Sequence, residues 1–457
     1  MELELLRSRL TGRVLLPGET GYDEAVTGFN LALRREPRAV VEAASAHDIS
    51  AAVRFAAGAG LGVAVQATGH GGAPVAGDFI QINTSRLDEC AVQLGENYGW
   101  ARVGAGVRWE RVLEAAAQHG LAPLAGSAPH VGVVGYLTGG GYGPIVRSHG
   151  LASDLIRAFE VVTGDGEFRR VTAAEEPELF WGLRGGKGAL GIVTAVEFDL
   201  LPITELTGGS VYYDGADAER VLRRWRDWSD ALPAQGTTSI ALKRLPDLPM
   251  LPPQIAGRLT VCVRFAWVGD DAEGEQAFAP MRDAAPVVLG AIAAMPYAAL
   301  GSIHQDPDQP MPVMDRNALF TGGLPDGALD TLLAWAGPES TSPKAIIEIR
   351  QLGGAIGLNE VPSAVGHRGA SHSLFVSSID TPGIGEVSRA HADEMLAALA
   401  PWTGTGILPN FQMLATPQLT ARAYERNTLA RLAGLVARFD PRGVLSDGRR
   451  LSEAAEL

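Results

Sequence analysis

Apolar and polar positions along this chain follow two periods, and the period changes about halfway. In the first half helical and strand spacings alternate. "ISAAVRFAAGAG" (49–60) has helical spacing, with Asp48 placed as its N-cap and the glycines as its stop. The apolar run "GVAVQAT" (62–68) follows as a strand and opens into the turn "GHGG" (69–72). "ARVGAGVRW" (101–109) alternates as a strand, and "WERVLEAAAQHG" (109–120) reads as a helix ended by Gly120. "FEVVTGDGEFRRVT" (159–172) reads as a hairpin turning at Asp165-Gly166, and "IVTAVEFDL" (192–200) as a strand broken by Pro202.

Beyond residue 205 strand patterns dominate: "GGSVYYD" (208–214), "TSIALKRL" (238–245), "RLTVCVRFAWVG" (258–269), "KAIIEIRQLGG" (344–354) and "SHSLFVSSID" (371–380). Amphipathic helices such as "DAERVLRRWRDWSDAL" (217–232) and "GEVSRAHADEMLAALA" (385–400) lie between them. This mixture without regular alternation predicts an antiparallel sheet covered by helices on one side. The proline-rich "RLPDLPMLPPQ" (244–254) and "DPDQPMPVMD" (306–315) are expected to be long loops. At 457 residues the chain exceeds one ordinary core, so the reading is a two-domain α+β protein.

Composition narrows the function. Glycine fills 56 of 457 positions, above the usual share of roughly 7%, and the excess falls in short clusters where backbone approaches a ligand. A net charge of −14 argues against nucleic acid or an anionic membrane as partner. No signal peptide is expected from "MELELLRSRLTGRV", and no uncharged apolar stretch reaches the roughly 18 residues of a membrane span. Cys90 and Cys262 lack metal spacing and read as free thiols in a reducing cytoplasm. No metal site is expected.

Three glycine clusters stand out: "ATGHGG" (67–72), "VGVVGYLTGGGYG" (131–143) and "LRGGKGALGIVT" (183–194). Each could hold phosphate on backbone N–H groups, and each alone could equally be a turn. None is a nicotinamide fingerprint or a P-loop. Their order and spacing, with "LTGRVLLPGETGYDEAVTGFN" (10–30) before them and "ILPNF" and "ARLAGLVARFDPRGVL" after, are those of a known group. The chain resembles the berberine bridge enzyme-like flavoproteins, within the vanillyl-alcohol-oxidase type of FAD-binding fold.

The resemblance implies an FAD-binding domain of two α/β subdomains at 1–203, a substrate-binding cap at 204–412, and a segment at 413–457 returning to the FAD domain. Around the first turn it implies cofactor contacts from Ala67, Thr68, Gly69, His70, Gly71 and Gly72. Further contacts are implied at Gly126, Ser127, Ala128, Val131, Gly132, Val133, Gly135, Tyr136, Gly140, Gly141 and Tyr142, then at Gly191, Ile192, Val193 and Asn410. His70 stands where the family bonds a histidine to the flavin 8α-methyl carbon. The preceding arginine and glycines of the family read Gln66, Ala67 and Thr68 here, and the following serine reads Gly71. Where many relatives attach flavin a second time through cysteine this chain has Ala128, so one histidyl bond and no cysteinyl bond are expected.

For catalysis a tyrosine of some relatives is replaced by Leu429. Tyr142 and Glu348 remain as candidate bases, with Arg350 on the same strand face as Glu348, either tuning it or holding a substrate oxyanion. The alternative for that pair is an exposed ion pair at a sheet edge. His130 and Tyr136 are further candidates for lining the site. His304, His367, His372 and His391 are expected to be surface or structural residues. Val131 matches the family position that borders the path of O2.

The implied activity is FAD-dependent oxidation of a small or medium organic substrate, such as a specialised-metabolite intermediate, with O2 as acceptor, in a cytoplasmic monomer or homodimer. The alternatives are a catabolic amine or alcohol oxidase resembling the hydroxynicotine oxidases, and a flavin carrier without turnover.

Overall fold

A computed structural model describes residues 2–95, 98–358 and 361–457. Its first sheet holds β1 (Arg13–Leu15), β2 (Ala39–Glu42), β3 (Gly62–Gln66) and β4 (Phe79–Asn83) in the order β1-β2-β4-β3. β2, β4 and β3 are parallel, and β1 joins antiparallel at the edge. The helix Ala46–Ala59 crosses from β2 to β3 and buries Ile49, Ala52, Val53 and Ala56 against that sheet. Its N-cap is Ser45, whose hydroxyl accepts from Asp48 N–H, and Gly60 ends it at φ +69°. The Asp48 cap assignment is thereby corrected. Asp48 lies in the first turn, and its carboxylate accepts instead from the backbone N–H groups of Thr11, Gly12 and Ala44.

The second sheet holds β5 (Cys90–Leu94), β6 (Gly99–Gly104), β7 (Ile156–Val162), β8 (Phe168–Thr172) and β9 (Ile192–Leu200), all antiparallel, in the order β5-β6-β9-β7-β8. β7 and β8 form the expected hairpin, with Gly166 at φ +80° in the turn. The C-terminal helices Arg426–Phe439 and Ser446–Ala455 come back onto this half. Leu432, Leu435 and Phe439 join the core of the second sheet, and Leu445 bridges to Val63 of β3.

The third sheet has seven antiparallel strands: β10 (Glu205–Asp214), β11 (Gly236–Arg244), β12 (Leu259–Trp267), β13 (Val287–Pro296), β14 (Val313–Phe320), β15 (Ile346–Gln351) and β16 (His372–Ile379). Their order is β13-β10-β12-β11-β15-β16-β14. Period two sorts its faces. Ile240, Leu242, Val261, Val263, Ile347, Ile349, Leu374 and Val376 point one way, into a core closed by the helices Ala218–Asp230, Asp271–Arg282, Asp326–Ala336 and Gly385–Leu399. The other face looks back toward the first two sheets.

The α+β architecture and the helix-covered antiparallel sheet agree with the expectation, but β1, β2, β4 and β5 of the first two sheets and two strands of the third were not read from the sequence. β13 is a largely exposed edge strand of small residues, "VVLGAIAAMP". β14 is the other edge, and it starts inside the segment expected to be a loop, taking Val313, Met314 and Asp315 into the sheet. Edge strands lose one row of partners and one reason to alternate, so the pattern fades there.

Candidate active site

Between the polar face of the third sheet and the turns of the first two lies a cavity of about 670 Å3. Its first wall begins where β3 runs into Ala67–Gly72. Gly69 sits at φ +77°, and a Cβ there would strike the backbone of Gly28 and Phe29, so the turn closes only around glycine. The neighbouring strip is pinned in return: Phe29 N–H donates to the Thr68 carbonyl at 2.9 Å. Phe29 stacks on the His70 ring at 3.8 Å and 14°, and the His130 ring lies 5.0 Å away. His70 Nδ1 shares a 2.9 Å hydrogen bond with Thr68 Oγ1, and its Nε2 is buried with no partner among the described residues. Burial above all, with His130 and Arg108 adding to it, lowers the imidazole to about 3, so it is neutral at pH 7.

All six residues expected from the first turn line the cavity, as do Gly126, Ser127, Ala128, Val131, Gly132, Gly135, Tyr136 and Tyr142. Gly191, Ile192, Val193 and Asn410 line it too. Three expected residues do not. Val133 is buried in the core of the second sheet. Gly140 and Gly141, at φ +106° and +81°, shape the turn behind Tyr142 and Tyr136 without reaching the cavity, because Val365, Ala152 and the tyrosine rings fill the space beside them. Lys187 is among the wall residues that the sequence reading missed. Lys187, at φ +54°, donates from Nζ to Asn410 Oδ1 at 2.5 Å and to the Gly135 carbonyl at 3.1 Å, while Asn410 Nδ2 donates to the Tyr136 carbonyl. Burial lowers its ammonium to about 8.

The opposite wall is set by register. Ser373, Arg350, Ser239 and Arg264 stand side by side on β16, β15, β11 and β12; one pleat along, Phe375, Glu348, Ala241 and Cys262 do the same. Glu348 is therefore no exposed edge residue. Its strand is interior, and its carboxylate is 2% exposed. Oε1 accepts from Arg264 Nη1 at 2.6 Å and from Ser239 Oγ at 2.7 Å, and Oε2 accepts from Arg350 Nε at 2.9 Å. Burial raises the carboxyl, but Arg350 and Arg264 outweigh it and hold Glu348 well below the usual carboxylate range.

Of the surface and structural alternatives expected for His304, the surface one is excluded. The residue is buried with Nε2 3.6 Å from Glu348 Oε1, and neither ring nitrogen has a hydrogen-bond partner among the described residues. Burial, then the Arg264 and Arg350 guanidiniums, hold it at about 4. It borders a second, small cavity of about 30 Å3 whose walls include Tyr142, Arg264 and Arg350, room for a water or two. Asp306, half-buried, accepts from Ser127 Oγ at 2.8 Å and faces the same end. The other three histidines lie elsewhere: His367 and His391 bond to the carbonyls of Arg422 and Trp335, and His372 packs on Trp225. Arg264, with its charge in the middle of an apolar strand, was the one missed residue with a sequence signal. His304 and Asp306 had none.

The chain matches the FAD binding domain family over residues 37–172. It is 24% identical over 360 residues, 77% of each chain, to the uncharacterized FAD-linked oxidoreductase YgaK of Bacillus subtilis. It is 32% identical over 210 residues, 44% of each chain, to (R)-6-hydroxynicotine oxidase of Paenarthrobacter nicotinovorans. Wild-type BBE-like 1 of Physcomitrella patens has the same fold, with a TM-score of 0.83 at 18% identity over 97% of both chains.

Proposed function

We propose that this chain is a berberine bridge enzyme-like FAD-linked oxidoreductase and works as an oxidase, passing electrons from a small or medium organic substrate to O2. The observation that carries the reading is the continuous cavity with glycine turns on one wall and the Glu348 cluster on the other. The residues present fit FAD. The cavity falls in the range of about 300–1,000 Å3 used by organic ligands. Gly71 and Gly135 have nothing near where a Cβ would stand, and a His70 nitrogen lacks a partner. Bound FAD supplies a two-electron acceptor that can hand its electrons on to O2.

In this reading residues 1–203 and 413–457 hold the cofactor and 204–412 cap the substrate. The backbone of Ala67–Gly72 would cradle the pyrophosphate, and His70 would carry a single covalent bond to the flavin. Phe29 and Thr68 fix the ring for it. Ala128 offers no thiol, and Cys90 and Cys262 are free and stand off the cavity.

At the substrate end Tyr142 presents a buried, unpartnered hydroxyl, and burial raises its phenol, so it keeps its proton and acts as a donor to the substrate heteroatom. Glu348 stays ionised and is a poor base; its task is to position Arg350 and Arg264. The imidazole of His304, lowered to about 4 and so neutral at pH 7, borders the small cavity it shares with Tyr142 and is likewise a poor base. Val131 borders the approach of O2. Two unpaired cysteines suit the cytoplasm, and among the described residues no helix is long and apolar enough to cross a membrane.

The test of the cofactor assignment is a denaturing gel viewed under ultraviolet light after acid precipitation. A fluorescent protein band that disappears in His70→Ala is expected. Free FAD in the supernatant of the wild type, with a dark band, would refute the covalent bond, and a flavin peptide carrying a cysteinyl linkage would refute the single one.

A further inference from the structure

The two halves of the cap wall have different chemistry. At the inner end Arg350 is held at two points: Nε donates to Glu348 Oε2, and the guanidinium lies 4.8 Å over the Phe411 ring. Its two terminal nitrogens make no hydrogen bond among the described residues, and the side chain opens on the cavity. A planar fork fixed at its root and free at its tip is preorganised for two parallel hydrogen bonds to one oxyanion. Glu348 is already shared between Arg264 and Arg350, so it leaves that tip available. Asp306, the other carboxylate at this end, is turned to Ser127.

The outer end is apolar. Leu245 and Leu251, on the loop that follows β11, line the cavity together with Met311, Val313, Ile346 and Phe375. This wall is interrupted by Asp315 with Ser377 and Ser378. An anionic head placed beside Asp315 would be repelled, so the charge pattern also orients the ligand.

We propose that the substrate is an apolar-bodied carboxylic acid, its carboxylate on the terminal nitrogens of Arg350 and its body along the Leu245–Leu251 wall. Neutral, hydrated molecules such as oligosaccharides are disfavoured, because they would leave hydroxyls unpaired against leucine and valine. This substrate class rests on the oxidoreductase reading of the same cavity.

Calorimetric titration of the purified holoprotein with 4-phenylbutyrate, 4-phenylbutyramide and maltotriose tests it, with the flavin absorbance followed in parallel. The acid should bind roughly ten- to a hundredfold tighter than its amide and perturb the flavin spectrum, and maltotriose should do neither. Arg350→Gln should abolish the preference for acid over amide, and Leu251→Asp should weaken both ligands together. Equal affinity of acid and amide in the wild type overturns the proposal, whether or not either variant folds, and so does tighter binding of maltotriose. Acid-selective binding by a protein that carries no flavin would instead overturn the FAD reading and leave the anion site standing.

Discussion

The two walls of the cavity recognise by different means. The wall from the first two sheets is mostly backbone: its glycines allow close approach, and positive φ at Gly69 leaves no room for a side chain. The cap wall is mostly side chains, with Arg264, Glu348 and Arg350 brought together by strand register from positions up to 86 residues apart, the interval from 264 to 350. A constant ligand such as a cofactor can be held by backbone geometry. A variable one needs side chains, which change without disturbing the sheet beneath.

The contrast can be broken first at Gly69. Gly69→Val sets a β-branched side chain at φ +77° against the Gly28 backbone. Flavin fluorescence of the denatured band should fall to background while the cap remains folded by circular dichroism. Normal loading would mean the turn is not closed around glycine.

A smaller but still large effect belongs to the other wall. Glu348→Ala leaves the Arg264 guanidinium buried without its carboxylate and should cost about 3–5 kcal/mol in unfolding by urea. Covalent flavin loading should survive it, since no residue of that wall holds the bond. Loss of flavin together with modest destabilisation would blur the separation of the walls.

Smaller again is the response to acid. Burial, chiefly, holds His304 and His372 at about 4, so both stay neutral in the folded chain. The unfolded chain takes up their protons near 6.5, so their contribution is full above about 6.5 and is lost as pH falls toward 4. Asp315, raised by burial to about 6, works in the opposite sense: the folded chain binds its proton first and gains as pH falls. His70, held at about 3, acts in the same sense as the other two histidines, so the histidine protons outweigh the one on Asp315 and leave a net loss of stability between about pH 6.5 and 4. Urea midpoints measured across that range should fall with acidity, and His304→Asn should flatten the decline. An unchanged slope in that variant would mean His304 titrates normally.

The same contrast decided what the sequence revealed. The backbone wall is written in contiguous strings such as "ATGHGG", and helix and strand periods around it are strong, so its turns could be found and ordered. The exceptions, Val133, Gly140 and Gly141, share the motif but serve its packing, a distinction that needs coordinates. Within the charged cluster of the cap wall only Glu348 and Arg350 share a strand. Arg264, His304 and Asp306 join them through pairing of β11, β12 and β15 and through the loop beyond β13, which no local pattern records. The edge strands β13 and β14 were missed for the related reason that their pairing is one-sided.

The most direct measurement of the oxidase claim needs no substrate. The holoprotein is photoreduced without oxygen and mixed with O2 in a stopped-flow spectrometer, with hydrogen peroxide assayed afterwards. The flavin absorbance should return promptly with one peroxide per flavin, and Val131→Leu, which narrows the approach at the cavity wall, should slow that return by roughly an order of magnitude. Flavin that stays reduced in air until an artificial acceptor is added would contradict the claim that O2 is the natural one.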